Sequence, residues 1–141
     1  ISYSKKRDFN NAFADFNNAL KINPNSLKVY SMRAYAHLDN GNYLSAIQDY
    51  SRIISANPND FNQYFYRGLS YQKAKDYQQA IGDYSMVLKL NPGNSSAYLN
   101  RAICYEEMQQ YTLALQDAMA AKNSGQQVSE SYIIKLQGLA N

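Results

Sequence analysis

The sequence predicts an all-α protein, an α-solenoid in which antiparallel helix pairs stack one on the next. Asn-Pro pairs recur at a period of 34 residues, with prolines at Pro24, Pro58 and Pro92. The segments between them repeat one order of aromatic, small and charged residues, and their apolar residues follow helical spacing instead of strand alternation. Because a single helix pair cannot bury its apolar face, repeated pairs must stack and share a continuous core.

Four positions recur in the first helix of each pair, and we call each recurring position a slot. They are a tyrosine slot, a basic slot three residues later, a small-residue slot directly after it, and an aromatic slot three residues further on. In chain order these slots contain Tyr30, Tyr64, Tyr98 and Tyr132; Arg33, Arg67, Arg101 and Lys135; Ala34, Gly68 and Ala102; and His37, Tyr71 and Tyr105. Small side chains allow the two helices of a pair to approach closely. Gly41 is predicted to end the first helix of its pair.

The second helix of each pair carries an aromatic, an alanine, an aspartate and a bulky aromatic slot. They contain Phe9, Tyr43, Tyr77 and Tyr111; Ala12, Ala46, Ala80 and Ala114; Asp15, Asp49, Asp83 and Asp117; and Phe16, Tyr50 and Tyr84. Proline cannot continue a helix and biases the residue before it away from helical geometry, so each Asn-Pro pair should end a second helix.

The repeat register divides the chain into a single array. A partial repeat occupies residues 1–26, full repeats occupy 27–60, 61–94 and 95–128, and a terminal helix occupies 129–141. Since half of the first unit is missing, we expect the chain to be part of a longer protein.

Composition and charge exclude several classes of function. The net charge of +3 is small and scattered, whereas nucleic-acid binding requires a dense basic stripe, so no nucleic acid is expected as a partner. No apolar run is long enough to predict insertion into a membrane. Cys104 is the only cysteine, which excludes an internal disulfide, and nothing in the sequence assigns a compartment.

The residues do not predict an enzyme. His37 and Cys104 have the chemistry of a catalytic pair, but they occupy core slots two units apart, where we expect a packed histidine and a buried thiol. No glycine-rich phosphate loop and no metal-ligand spacing is present, so no metal and no cofactor is expected.

Charged residues in register with the core slots predict ion pairs between packed helices. An unpaired charge at such a position would be costly, so the arginines are interpreted as structural residues and not as ligand contacts. Arg67 in particular should meet Asp49 or Asp83.

The stretch YFYRGLSYQKAKDYQQAIGDYSMVLKLNP, from Tyr64 onward, resembles the tetratricopeptide repeat family, with tyrosine, glycine, alanine and proline at the spacing of its pattern. The resemblance covers nearly the whole chain, with departures at His37, Ala118 and Gln126. It implies a right-handed superhelix and a scaffold that binds other proteins.

The resemblance also implies a concave face lined by the first helix of each pair. We expect a protein or peptide partner in this groove, contacted by residues that the repeat's own packing does not require. They are Met32, Tyr35, Asn62, Phe65, Tyr66, Leu69, Lys73, Leu99, Asn100 and Ile103, with Ile133 and Ile134 extending the row. The alternative interpretation is that the large apolar members pack against one another across a tight superhelix.

One subset of the family clamps the C-terminal carboxylate of heat-shock chaperones with lysine, asparagine and arginine. The matching slots of the three full units contain no cation; their residues are Ser31, Tyr35, Tyr66, Ser96 and Asn100. The resemblance therefore does not extend to this clamp.

A competing function is self-assembly, or regulation within a larger protein, through the helical ends. The terminal helix carries apolar side chains where a solvated cap should be polar; they are Tyr132, Ile133, Ile134, Leu136 and Leu139. A homo-oligomer that stacks through this helix is the alternative to a peptide groove.

Overall fold

The computed structural model describes residues 3–141, with side chains described from Asp8 onward. Within this range the chain forms eight α-helices and no strand, which confirms the all-α prediction. In chain order they are α1 (Tyr3–Ile22), α2 (Leu27–Asp39), α3 (Tyr43–Ala56), α4 (Phe61–Lys73), α5 (Tyr77–Leu90), α6 (Ser95–Glu107), α7 (Tyr111–Asn123) and α8 (Glu130–Ala140).

The helices fall into two compact units. The first ends at Pro58 and contains α1 to α3, with α2 packed on both of its neighbours. The second begins at Asn59 and contains α4 to α8, in which each helix packs on the next and α4 also touches α6.

The ends of the helices follow the local sequence. As predicted, α1, α3 and α5 each end directly before an Asn-Pro pair. Polar side chains cap the starts of the following helices: the Ser26 hydroxyl accepts from the Val29 N–H, and the Asn94 side chain accepts from the Ala97 N–H at 2.9 Å. These caps satisfy backbone donors that have no partner inside the helix.

The short turns inside the pairs share one backbone conformation. Gly41, Lys75 and Gln109, spaced 34 residues apart, all have positive φ, at 82°, 64° and 59°. In each turn the N–H of the next residue bonds back across the helix end, as from Asp76 to the Tyr71 carbonyl at 2.9 Å. The sequence indicated this turn only at glycine, because lysine and glutamine do not signal a left-handed residue.

The core of each pair is built from small residues opposite large rings. Ala34, Ala46 and Ala80 are completely buried, and so is the Tyr84 ring. Gly68 lies against that ring: a methyl group added at Gly68 would stand 3.1 Å from Tyr84 Cε1 and 3.2 Å from Asp83 Cβ.

We expect Gly68→Ala to destabilise the protein by about 1–2 kcal/mol, measured by urea unfolding. Both neighbours resist the small shift that this methyl group requires, because the Tyr84 hydroxyl donates to Gln72 Oε1 at 2.7 Å and Asp83 is held by Arg67. Gly82 provides the control, since a methyl group there meets nothing within 4 Å and the site lies inside α5. Gly82→Ala should stabilise the helix by about 0.5–1 kcal/mol, and the same sign for both variants would contradict the packing argument.

Candidate functional site

The predicted row of contact residues in α4 lies along one face of that helix. Asn62, Phe65, Tyr66, Leu69 and Lys73 stand at i, i+3, i+4, i+7 and i+11, which places them on a single stripe. Asn62 and Lys73, at the two ends of the row, are exposed, and the three large side chains between them are half-buried. The row is therefore apolar in the middle and polar at both ends.

Phe65 contributes to packing as well as to the surface. Its ring lies edge-on against Tyr84 of α5, with ring centroids 5.8 Å apart, and edge-on to Tyr66 at the same distance. Phe65 therefore belongs to the packing between α4 and α5 as well as to the row. Because Tyr84 packs against one side of the ring, the position of the Phe65 side chain in the row is fixed.

The equivalent residues of α6 continue the row within the second unit. Leu99, Asn100 and Ile103 are half-buried, and α6 packs on α5 and touches α4. The next predicted position, Ile133 of α8, is only 5% exposed and belongs to the core formed with α6 and α7, so it is not available to a ligand.

Met32 and Tyr35 occupy the matching slots of α2 in the first unit. Both are exposed, to 51% and 59% of their surface. They form a patch of the same character, separate in sequence from the row of the second unit.

Three ion pairs, each between a buried aspartate and a partly buried arginine, hold the helices that carry these rows. Arg67 donates from Nε and Nη2 to both carboxylate oxygens of Asp83, at 2.8 and 2.7 Å, which confirms the predicted contact. Arg33 with Asp49 and Arg101 with Asp117 repeat this bidentate arrangement. The hydrogen bonds to Asp83 raise the pKa of the Arg67 guanidinium, so the group stays charged at all accessible pH values.

Two further polar partners of these arginines were not predicted from the sequence. Arg101 Nη1 donates to Ser85 Oγ at 2.9 Å, and Arg33 Nη1 donates to Asn17 Oδ1 at 2.7 Å. Ser85 and Asn17 share a slot at twice the repeat period, and this periodicity of small polar residues is the signal that could have revealed them. The fourth basic residue, Lys135, instead contacts Glu106.

The two residues with catalytic chemistry are packed in separate units. Cys104 is completely buried, and burial together with the nearby Glu107 charge raises the pKa of its thiol to about 12. The thiolate, which is the nucleophilic form, is therefore disfavoured. His37 is half-buried and its ring stacks on Phe13, with centroids 4.3 Å apart.

Burial lowers the pKa of His37 below its ordinary value of 6.5, so its neutral form is favoured in the folded protein. A group whose pKa is lower in the folded than in the unfolded state binds protons more readily when unfolded. The stability that His37 contributes is present above pH 6.5 and is lost as the pH falls through its folded pKa. We expect His37→Tyr, the residue of the equivalent slots, to reduce the loss of stability between pH 7.5 and pH 5; an unchanged pH profile by chemical denaturation would contradict this.

Within the described residues, no group of three or more histidine, cysteine or acidic side chains could hold a metal ion. None of the helices between Tyr3 and Ala140 has the length and hydropathy needed to cross a membrane. A surface pocket of ≈ 350 Å³ lies between residues 109–113 and the end of α8, away from the predicted contact residues.

Family models described as tetratricopeptide repeat match most of the chain. One matches residues 61–94, a second matches 16–48 and 84–116, and a third matches 2–26. Among curated proteins no significant sequence match was found.

Solved structures provide similar folds. MamA from Desulfovibrio magneticus RS-1 superposes with a TM-score of 0.79 at 17% identity, covering 86% of this chain and 68% of that one. The Arabidopsis OM64 TPR domain gives 0.72 at 22% identity, covering 81% and 93%. The first TPR of Spaghetti (RPAP3), bound to the HSP90 peptide SRMEEVD, gives 0.75 at 22% identity, covering 82% and 94%.

At these identities the likeness shows the fold alone, a solenoid of helix pairs. The chain spans between 65% and 76% of the length of the MamA chains that it matches.

Proposed function

Because the chain belongs to the tetratricopeptide repeat family, whose domains bind protein partners, we propose that it is a non-catalytic scaffold that holds a peptide segment of another protein. The proposed binding surface is the row on α4 and α6 of the second unit. The observation that carries the proposal is that Tyr66, Leu69 and Ile103 remain partly open to solvent, although the repeat does not require large apolar residues in their slots.

The chemistry of the row suits an extended peptide. Contiguous apolar surface left open by a folded protein marks an interaction site, since its burial by a partner is favourable. The amides of Asn62 and Asn100 offer both donors and acceptors, which match the backbone groups of an extended chain. Lys73, at the end of the row, adds a positive charge that would favour an acidic residue there.

We expect this chain not to bind acidic chaperone tails tightly. The Spaghetti (RPAP3) domain is a neighbour whose ligand is such a peptide, but the clamp slots of this chain contain no cation. Calorimetric titration with SRMEEVD should give a Kd well above the low-micromolar range, with the neighbour domain as the positive control. Low-micromolar binding by this chain would contradict the expectation.

The proposal is tested by selecting linear peptides from a random display library on the full chain. Selected peptides should lose at least about tenfold in affinity, roughly 1.4 kcal/mol, when Tyr66→Ala and Leu69→Ala are combined. Leu44→Ala is the matched control, because Leu44 is 74% exposed on α3 and lies outside the row. Failure to select any peptide, or equal binding to all variants, would refute the proposal; circular dichroism checks that the variants are folded.

Self-association through α8 is the second candidate function, favoured by one observation. Ile134 and Leu139 of this helix are 60% and 45% exposed. Light scattering over a range of concentrations tests it, since a mass that stays at 16.0 kDa would remove its support.

A further inference from the structure

His37 is the only histidine of the chain, and it lies where α1 packs on α2. Its ring stacks on Phe13 of α1 at an interplanar angle of 19°, with centroids 4.3 Å apart. Helix α1 ends at the first Asn-Pro pair and α2 begins the next repeat, so this contact joins two successive repeats. His37 is therefore a side chain of a boundary between repeats.

A histidine at this boundary is a departure from the repeat. The equivalent slots of α4 and α6 contain Tyr71 and Tyr105. Histidine is the only side chain whose charge ordinarily changes between pH 5 and pH 8. Of the three aromatic slots, the one that faces α1 is therefore the one that acidification can charge.

The surroundings of His37 suit its neutral form. The Asn42 side-chain nitrogen lies 3.5 Å from His37 Nδ1, and because an amide nitrogen donates, the ring nitrogen has to accept, which requires it to be unprotonated. The Phe13 ring covers one face of the imidazole and keeps from it the water that would solvate a charge. Protonation is therefore disfavoured as long as α1 is in place.

The charged groups around His37 belong to α2 and α3. Among the described residues, burial lowers the pKa of His37 most, Asp49 on α3 raises it, and Arg33 on α2 lowers it. Arg33 and Asp49 are joined by two hydrogen bonds, so both stay beside His37 when α1 moves away. What α1 contributes to the environment of His37 is the apolar cover of Phe13 and not a charge.

We infer that His37 makes the α1–α2 boundary a pH-sensitive joint, which opens when the imidazole takes up a proton. Detachment of α1 uncovers the ring and allows water to solvate the charged form, so proton binding and detachment favour each other. The detached state binds the proton more readily, so the joint is closed at pH 7.5 and loosens as the pH falls below 6.5. This inference concerns the first unit and does not rest on the proposed peptide row.

The size of the effect is limited by the linkage to one proton. At pH 5.5, one unit below the ordinary pKa of 6.5, a single histidine can favour the detached state by at most about tenfold. We expect native-state hydrogen exchange, corrected for the intrinsic rate, to show that the opening of α1 rises about three- to tenfold between pH 7.5 and pH 5.5. The opening of α4 to α8 should change by less than about twofold, because these helices contain no histidine.

Two kinds of variant test the role of the ring contact. His37→Tyr, with the residue of the equivalent slots, should abolish the pH dependence of α1 opening. Phe13→Ala should raise the pKa of His37 toward 6.5, which the signal of the only imidazole reports directly in a proton NMR titration. Ile22→Ala is the matched control, because Ile22 is 88% exposed at the end of the same helix and its truncation should leave this pKa unchanged. The titration retains the histidine, so it remains a test even if tyrosine does not fit the slot.

A pKa of His37 at or above 6.5 would overturn the inference, since it would mean that the Phe13 face attracts the charged imidazole. So would an α1 whose opening does not change with pH, an equal rise of opening in α1, α2 and α3, or a pH dependence that persists in His37→Tyr. The Tyr66→Ala, Leu69→Ala variant should keep the pH response of α1, so failure of one proposal can be told from failure of the other.

Discussion

Arg101→Met is expected to destabilise the second unit by about 3–5 kcal/mol, because it removes a charge and leaves its buried partner. Asp117 is 6% exposed, and the guanidinium supplies two hydrogen bonds to its carboxylate, at 2.6 and 2.9 Å. Methionine keeps much of the side-chain volume, so the effect reports the charge and not a cavity. Urea unfolding followed by circular dichroism measures it.

The control for this prediction is an exposed ion pair in the same unit. Lys122 contacts Glu130 at 2.9 Å, but the two side chains are 50% and 69% exposed. Lys122→Met should therefore cost no more than about 1 kcal/mol. The double variant Arg101→Met, Asp117→Leu should recover much of the loss, and a double variant as unstable as the single one would show that the charge is not the cause.

Leu136→Ala is expected to cost about 2–5 kcal/mol and to release α8 from its neighbours. Leu136 is completely buried in the cluster that joins α8 to Ala102, Ala114 and Ala118. The alanines leave a space that the Leu136 side chain fills, so its truncation leaves a cavity in this cluster. Hydrogen exchange should show the loss of protection concentrated in α8, since helices of a repeat array depend on their immediate neighbours.

Leu139 provides the matched control on the same helix. It is 45% exposed, so Leu139→Ala should change the free energy of unfolding by no more than about 0.5 kcal/mol. Equal destabilisation by both substitutions would mean that burial does not decide the stability of α8.

The repeat could be predicted because the same residue types recur at a period of 34 residues. The Asn-Pro pairs gave the ends of three helices, and the recurring arginines and aspartates gave the ion pairs. The choice between Asp49 and Asp83 as partner of Arg67 could not be made, because the period alone gives two aspartates at similar distances along the chain. Only the antiparallel geometry of a pair selects the one that is 16 residues later.

The contact row could be predicted less completely, because helical spacing assigns a residue to a face but not to a depth. Phe65 was assigned to the surface by its slot, whereas its ring also packs on Tyr84. Ile133 and Ile134 were assigned together, but the first is buried and the second is 60% exposed. Which of two adjacent apolar residues meets the core depends on how α8 is rotated on α7, and no residue type signals that rotation.

The arginines of the three ion pairs also affect how the helices unfold. Arg33 joins α1 to α3 through Asn17 and Asp49, and Arg101 joins α5 to α7 through Ser85 and Asp117. One side chain thereby couples helices that are second neighbours along the chain, whereas packing in a simple helical array couples only first neighbours. Within each unit this longer coupling raises the cost of a boundary between folded and melted helices, so the helices that an arginine joins should unfold as one cooperative block and not pair by pair.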